Sequence, residues 1–456
     1  MRRFPTLFLA FLLGAGCQQP RGTTGSPDSG SDQDSGVDTN DAGSPDANDL
    51  PSNVYPAFKL DVPQVESLHG RVLSAPTVVP VFFANDTSTT TIQKVTQFLG
   101  LVGSSSYWSG AVGEYGVGPL TATAAYMSTD KPSGTIQDSD IQNWILNKIA
   151  TDPDFPQPDE NTIYAMHYPS GVTIELQGGF GQGTSQSCRD FGGYHSDITL
   201  PVTATAGDAA DGGTFTVNPN GASYGSYAVI PRCGSFGPLS GVDAVTGTES
   251  HELAEASTDP YPNLDPAYGQ IDEKHIFWEF VIGGGEVGDM CAQNPGAFTK
   301  FQGLAFTVQR IWSNKNAREG HDPCQPVLPG EVYFNSMPVL SDTTTLNIGQ
   351  QVTFESVNVA VGSSITIDLD LFSDSDTGAI DSGGSGDWQV QVQDLNQLMG
   401  GRPSVDYSLS PLSGRNGNQL QLTVSPKAAS QYGANAFLVT STLGNYTNLW
   451  VGAVGQ

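Results

Sequence analysis

Thr162-Ile163-Tyr164-Ala165-Met166-His167-Tyr168 runs without polar alternation through β-branched and aromatic residues, the pattern of a strand at the centre of a sheet. His167 within it reads as a core histidine with a hydrogen-bond partner. Upstream, Val78-Val79-Pro80-Val81-Phe82-Phe83 reads as a second buried strand, with Pro80 demoting it to an edge or a bulged position. Thr89 to Leu101 carries Ile92, Val95, Phe98 and Leu99 at helical spacing, and Asp138 to Ala150 carries Ile141, Ile145 and Ile149 every four residues. Tyr227-Ala228-Val229-Ile230 reads as a further strand after Gly-rich loops. Strands alternating with helices predict an α/β or α+β layered domain over residues 55–326.

The character changes near Pro329. Val352 to Val357, Trp388 to Val392 and Leu420 to Val424 alternate apolar and polar residues, and turns rich in Gly, Asp, Ser and Asn separate them. Residues 330–456 therefore predict an all-β sandwich. No catalytic cluster falls there, so this region reads as a spacer or adhesion module.

Toward the N-terminus, Arg2 and Arg3 precede an apolar run from Leu7 to Leu13 and small residues at 14–16. The run is too short to span a bilayer, which needs about 20 residues, and residues 1–16 read as a signal peptide. Leu13-Gly14-Ala15-Gly16-Cys17 resembles a bacterial lipobox and implies lipidation at Cys17, although Gly14 departs from the usual leucine. Residues 17–52 are Gly, Ser, Asp, Pro and Asn with almost nothing apolar, which predicts a disordered acidic tether. The expected location is the outer membrane or cell surface through the lipid anchor, and otherwise secretion. A net charge of -29 with 18 basic residues excludes nucleic acid as a partner. With Cys17 set aside, Cys188, Cys233, Cys291 and Cys324 form an even set. Three pairings are open, and proximity favours Cys188–Cys233 and Cys291–Cys324.

The chemistry concentrates in Thr246-Gly247-Thr248-Glu249-Ser250-His251-Glu252-Leu253-Ala254-Glu255-Ala256-Ser257-Thr258-Asp259-Pro260. Thr246 and Glu249 read as a capping box that starts a helix near Gly247, and Pro260 ends it near Thr258. His251 and Glu255, one turn apart, share a face and suit a shared metal ion, with Glu252 on the flank where a metallopeptidase holds its general base. This is the His-Glu-x-x-His zincin pattern with Glu255 in place of the second histidine. The carboxylate makes the metal a weaker Lewis acid, and a helix with solvated acids is the competing reading. Further candidate ligands are Asp259 past the helix end, Glu286 and Asp289 in Gly283–Cys291, and His195 in the Gly-rich loop after Cys188.

Four segments carry a family resemblance: the helix from His251 to Pro260, Glu286 to Cys291, Val308 to Ser313 with Cys324 beyond, and Cys188 to His195. In order and approximate spacing, over about residues 76–324, they resemble the EXORDIUM, or phosphate-induced protein 1, family. That resemblance implies an extracellular protein associated with the cell wall and a shared site, and it supplies no reaction.

Two functions follow. One is a zinc-dependent hydrolase acting on peptides, with Glu252 as base and His251, Glu255 and a third ligand such as His195 on the metal. The other is a non-catalytic binding protein in which the carboxylates hold structural calcium and Tyr107, Trp108 and Tyr115 stack on cell-wall polysaccharide.

Overall fold

The computed structural model describes residues 51–456 apart from 178–183, 202–203, 206–215, 218–219, 302, 348–350, 381–384 and 431–432. The expected signal peptide, Cys17 and the acidic tether up to residue 50 lie outside the described residues; the expected disorder ends before Ser52, which is hydrogen-bonded to Asn416. No described helix is long and apolar enough to cross a membrane. The chain is mixed α/β and richer in strand than in helix.

Thr162–Tyr168 is fully buried and central, as its composition predicts. It pairs in parallel with Thr77–Phe83 on one side and Tyr224–Pro231 on the other. Tyr194–Thr199 closes that second edge antiparallel to Tyr224–Pro231. Pro80 does not make its strand an edge. Thr77–Phe83 also pairs with Thr121–Ala122 and Tyr126–Ser128, and Pro80 falls between the two paired stretches. The missing N–H costs nothing where the neighbouring ladder is interrupted.

Alternate residues of these strands enter two separate apolar clusters. Val78, Phe82, Ile163, Ala165, Ala228 and Ile230 face one. Val79, Val81, Tyr164, Met166, Tyr227 and Val229 face the other. Ile141, Ile145 and Ile149 of the helix Asp138–Thr151 cover the second cluster. The tyrosines of two strands pin this helix: Tyr194 and Tyr227 both donate to Asp138 Oδ1, at 2.6 and 2.7 Å. Asp138 and Asp140 in its first turn and Lys148 in its last suit the helix dipole. The helices Thr89–Val102, Ser106–Val112 and Gly241–Thr258 pack on the first cluster. Tyr107, Trp108 and Tyr115 are core residues there, so they offer no sugar-stacking surface. Their polar atoms bond to the backbone of Gln309, Gly118 and Trp312.

Past residue 330 two further sheets form. One orders Phe334–Pro338, Ile365–Ser373, Gln419–Pro426 and Val405–Ser410, all antiparallel. The other has six strands built around the long antiparallel pair Ala434–Leu443 and Tyr446–Gly455. Phe334, Leu371, Trp388, Leu422 and Phe437 join one core, which fits a sandwich. That core continues into the first region. Phe277 stacks on Phe354 at 4.4 Å and Trp278 meets Trp450 edge-on at 5.4 Å. Such pairs add about 0.5–1.5 kcal/mol each beyond their buried area.

The segment entering the first region is held by the last one. Asn416 accepts from Ser52 N through its carbonyl and from Ala57 N through Oδ1, and its Nδ2 donates to the carbonyls of Ser52 and Val54. Both disulfides form as proximity favoured, Cys188–Cys233 and Cys291–Cys324.

Candidate metal centre

The helix that carries His251 and Glu255 is longer than its capping-box reading. It spans Gly241–Thr258 from an N-cap at Ser240. Thr246 and Glu249 therefore lie inside it: Thr246 Oγ1 donates to the carbonyl of Thr307, and Glu249 meets His167. The C-terminal limit at Thr258 is as Pro260 predicted. Almost every residue after Val245 is buried, so its polar side chains face protein on all sides. Ser250 Oγ donates to Gly247 O and accepts from Gln309 N, which ties the helix to Thr307–Gln309.

His195 sits on an edge strand rather than in a loop. It pairs with Ala228, whose side chain belongs to the same cluster as Leu253 and Ala254 of the helix. The pleat therefore aims the imidazole at the helix. Gly193 permits the approach, since a Cβ there would stand 2.6 Å from Thr248 Cγ2 and 2.8 Å from Glu252 Oε1.

Glu286 and Asp289 arrive on the turn between two short helices, Phe277–Ile282 and Asp289–Ala292. Gln309 Nε2 donates to Gly288 O at 2.7 Å, Trp312 N donates to Val287 O at 2.9 Å, and the Cys291–Cys324 bridge closes the far side. The segments that carry the family resemblance thus meet around one point.

At that point two triads form. His195, Glu252 and Glu255 make one, and His251, Glu255 and Asp289 make the other; within each, one ligand atom per residue lies within 4.8 Å of the others. His195 Nδ1 is 3.7 Å from Glu255 Oε2 and 3.9 Å from Glu252 Oε2. His251 Nε2 is 3.1 Å from Glu255 Oε2, 3.9 Å from Asp289 Oδ1 and 4.0 Å from Glu252 Oε1. Two ligands bonded tetrahedrally at about 2.1 Å stand about 3.4 Å apart, so the separations of 3.7–4.0 Å are too long for hydrogen bonds and near those of metal ligands, while 3.1 Å between His251 and Glu255 fits either. His195 Nδ1, Glu252 Oε2 and Glu255 Oε2 are buried with no hydrogen-bond partner. Buried polar atoms are ordinarily satisfied, and three orphans facing one point fit a bound cation. These acidic and histidine groups could hold a metal.

The surrounding bonds orient the ligands. Glu255 Oε1 accepts from Gly288 N and Asp289 N at 3.2 and 3.1 Å, leaving Oε2 to face both imidazoles. His195 Nε2 donates to the carbonyl of Asp259 at 3.1 Å and lies 3.3 Å from Glu286 Oε1. In the neutral ring that fixes the tautomer whose lone pair is on Nδ1, the form a metal would bind. Glu286 and Asp259 thus stand behind His195 rather than within either triad. The Asp259 side chain is turned to Ala267 N, which donates to Oδ1 at 2.6 Å.

Burial dominates the electrostatics. It pushes the carboxyl of Glu286 well up, that of Glu252 up, and that of Asp289 to about 8 with help from Glu255. Burial, with smaller help from Asp197 and Glu255, raises Asp259 to about 6. Burial opposes a charged His251, but Glu255 and Glu252 outweigh it and raise that imidazole to about 10. His195 likewise rises, burial being outweighed first by Glu286. Glu255 alone falls, because His251 overcomes its burial.

Sequence reading missed Glu249 as part of this buried network. His167 Nε2 meets Glu249 Oε1 at 2.9 Å while stacking on Phe82, so His167 is the expected core histidine with a partner, although its Nδ1 has none. The available signal was the spacing of Glu249, Glu252 and Glu255, three residues apart on one helix. A cavity of about 190 Å³ at the junction of the two regions shares no residue with the triads.

No family model matches the chain, and no curated protein matches it. Among solved structures, a chimeric titin Z1Z2 functionalized with a KLER exogenous peptide from decorin aligns at 18% identity with a TM-score of 0.15. The alignment covers 22% of this chain and 42% of that one, and a likeness this small carries no argument.

Proposed function

We propose that the chain is an exported metal-dependent hydrolase acting on peptides, with its reacting metal held by His251, Glu255 and Asp289. The observation that carries this reading is the triad of His251, Glu255 and Asp289, whose ligand atoms lie within 4.8 Å of one another around the buried, orphaned Glu255 Oε2. A zinc ion there would supply a Lewis acid that activates water near neutral pH. His251 and Asp289, each with a side chain 14% exposed, form the accessible side of the cluster, while His195, Glu252 and Glu255 are sealed. Substrate therefore approaches past His251 and Asp289. Glu252 Oε1, 4.0 Å from His251 Nε2, stands where it can accept the proton of the attacking water and return it to the leaving amine. The rigid turn at Gly288 keeps Glu255 oriented through two backbone donors.

Calcium in a non-catalytic binding protein is the weaker reading, because both triads include an imidazole and calcium takes oxygen ligands. The finer architecture belongs to the same proposal: a layered domain with the site helix across one sheet face, then a sandwich. So do membership of the EXORDIUM-like family, anchoring through Cys17 and work at the cell surface.

The test is hydrolysis of a mixed peptide library by zinc-loaded protein, read by mass spectrometry. Glu252→Gln should lower the rate by about 10²–10⁴, the usual worth of a positioned general base, while zinc still binds at His251, Glu255 and Asp289. Undiminished cleavage by that variant, or none by the zinc-loaded wild type, would sink the reading.

A further inference from the structure

The two imidazoles belong to different triads, and Glu255 is the one residue common to both. As in a zincin, the helix-motif pair His251 and Glu255 faces one point; here Glu255 also faces a second, adjacent point with Glu252 of the same helix. The outer point lies among His251, Glu255 and Asp289, and the inner among His195, Glu252 and Glu255. We propose that the centre is dinuclear, holding two divalent transition-metal ions bridged by the Glu255 carboxylate. This rests on the metal-centre reading above and deepens it.

Three observations support the second ion. The inner triad consists of side chains at most 3% exposed, and each contributes an orphaned atom: His195 Nδ1, Glu252 Oε2 and Glu255 Oε2. An ion at the outer point alone would leave His195 Nδ1 and Glu252 Oε2 unsatisfied, which is costly in a buried site. The inner imidazole is also prepared as a ligand, since the Asp259 carbonyl accepts from Nε2 and leaves the Nδ1 lone pair toward the acids.

The third observation is the number of donors. Glu252, Glu255 and Asp289 with His195 and His251 make five side chains in the two triads, and their ion pairs among the described residues involve histidines, with no lysine or arginine. One tetrahedral ion with a position left for water takes three of them, whereas two ions sharing Glu255 take all five. A shared carboxylate places two ions about 3.5–4 Å apart, the usual spacing of two-metal hydrolytic sites. Glu252 then has divided duties: Oε2 faces the inner ion and Oε1 remains for the proton of water. Each ion that enters displaces protons from its ligands to solvent, and no oxidation or reduction accompanies it.

The experiment is metal stoichiometry on the full chain, stripped with chelator and dialysed against cobalt(II) or zinc(II). Wild type should bind two ions per chain, and His195→Ala and Asp289→Asn one each. The dicobalt protein should show a spin-coupled, weakened paramagnetic resonance signal, with the uncoupled signal returning in either variant. The wild-type resonance stands alone if a variant does not fold. One ion per chain at saturation, or an uncoupled signal with two bound, overturns the dinuclear centre. Two coupled ions without peptide cleavage would retain the centre and overturn only the hydrolase reading.

Discussion

Gly288→Ala isolates the close approach on which the metal centre depends. The backbone at Gly288 has φ -78° and ψ -42°, which any residue adopts. On backbone grounds alone alanine should stabilise the fold by about 0.4–1 kcal/mol, because it narrows the unfolded ensemble. The side chain reverses that sign. Its Cβ would stand 2.6 Å from His251 Nδ1, 2.8 Å from His251 Cε1 and 2.7 Å from Glu255 Oε1, at least 0.6 Å short of the 3.4 Å where ordinary contact begins. Glu255 cannot retreat freely, since the N–H groups of residues 288 and 289 hold its Oε1. Overpacking of this kind costs about 1–3 kcal/mol, so the net expectation is a loss of roughly 1–2 kcal/mol. Displacing an orienting contact weakens metal binding by about 10–100-fold. Thermal unfolding in excess chelator reads the first effect, and zinc competition against a chromophoric chelator reads the second. Wild-type affinity together with an unchanged or raised melting temperature would refute the geometry.

Other expectations are shorter. Burial lifts the carboxyl of Glu279 to about 7 from 4.5, against the N–H of Ile271 that donates to it. A raised carboxyl means stability is full below pH about 4.5 and is lost as pH rises through 7. Glu279→Gln should therefore be more stable than wild type by about 2 kcal/mol at pH 8 and equal to it at pH 4, measured by urea unfolding. Arg310 is buried against Asp322 and the carbonyls of Cys324 and Pro326; Arg310→Ala should cost about 3–5 kcal/mol in the same assay by leaving Asp322 unpaired. Cys291→Ser with Cys324→Ser opens a bridge separated by 33 residues, and the expected loss is about 3–4 kcal/mol in non-reducing unfolding.

The sequence made periodic elements legible. Ile141, Ile145 and Ile149 announced their helix, and the unbroken apolar run at 162–168 announced the central strand. Where local rules misled, long-range contacts had taken over. Thr246 resembles a helix start, but strand Thr307–Gln309 satisfies its hydroxyl and the helix continues back to Gly241. Pro80 resembles an edge marker, but the neighbouring ladder breaks opposite it. His251 and Glu255 could be paired from their spacing, whereas membership of the two triads depends on the pleat at His195 and the turn at Gly288. Neither has a periodic signature. Glu286 and Asp259 were legible as candidates, but only the fold shows which nitrogen of His195 they face.

The contact at Asn416 also bears on how the molecule carries load. Ser52 and Val54 are bonded to Asn416 before the polypeptide crosses to the first region. A pull on Ser52 would therefore load Asn416 and the strand loops beside it first. Neither triad includes a residue of this latch, so the ligands would take up load only through the packing between.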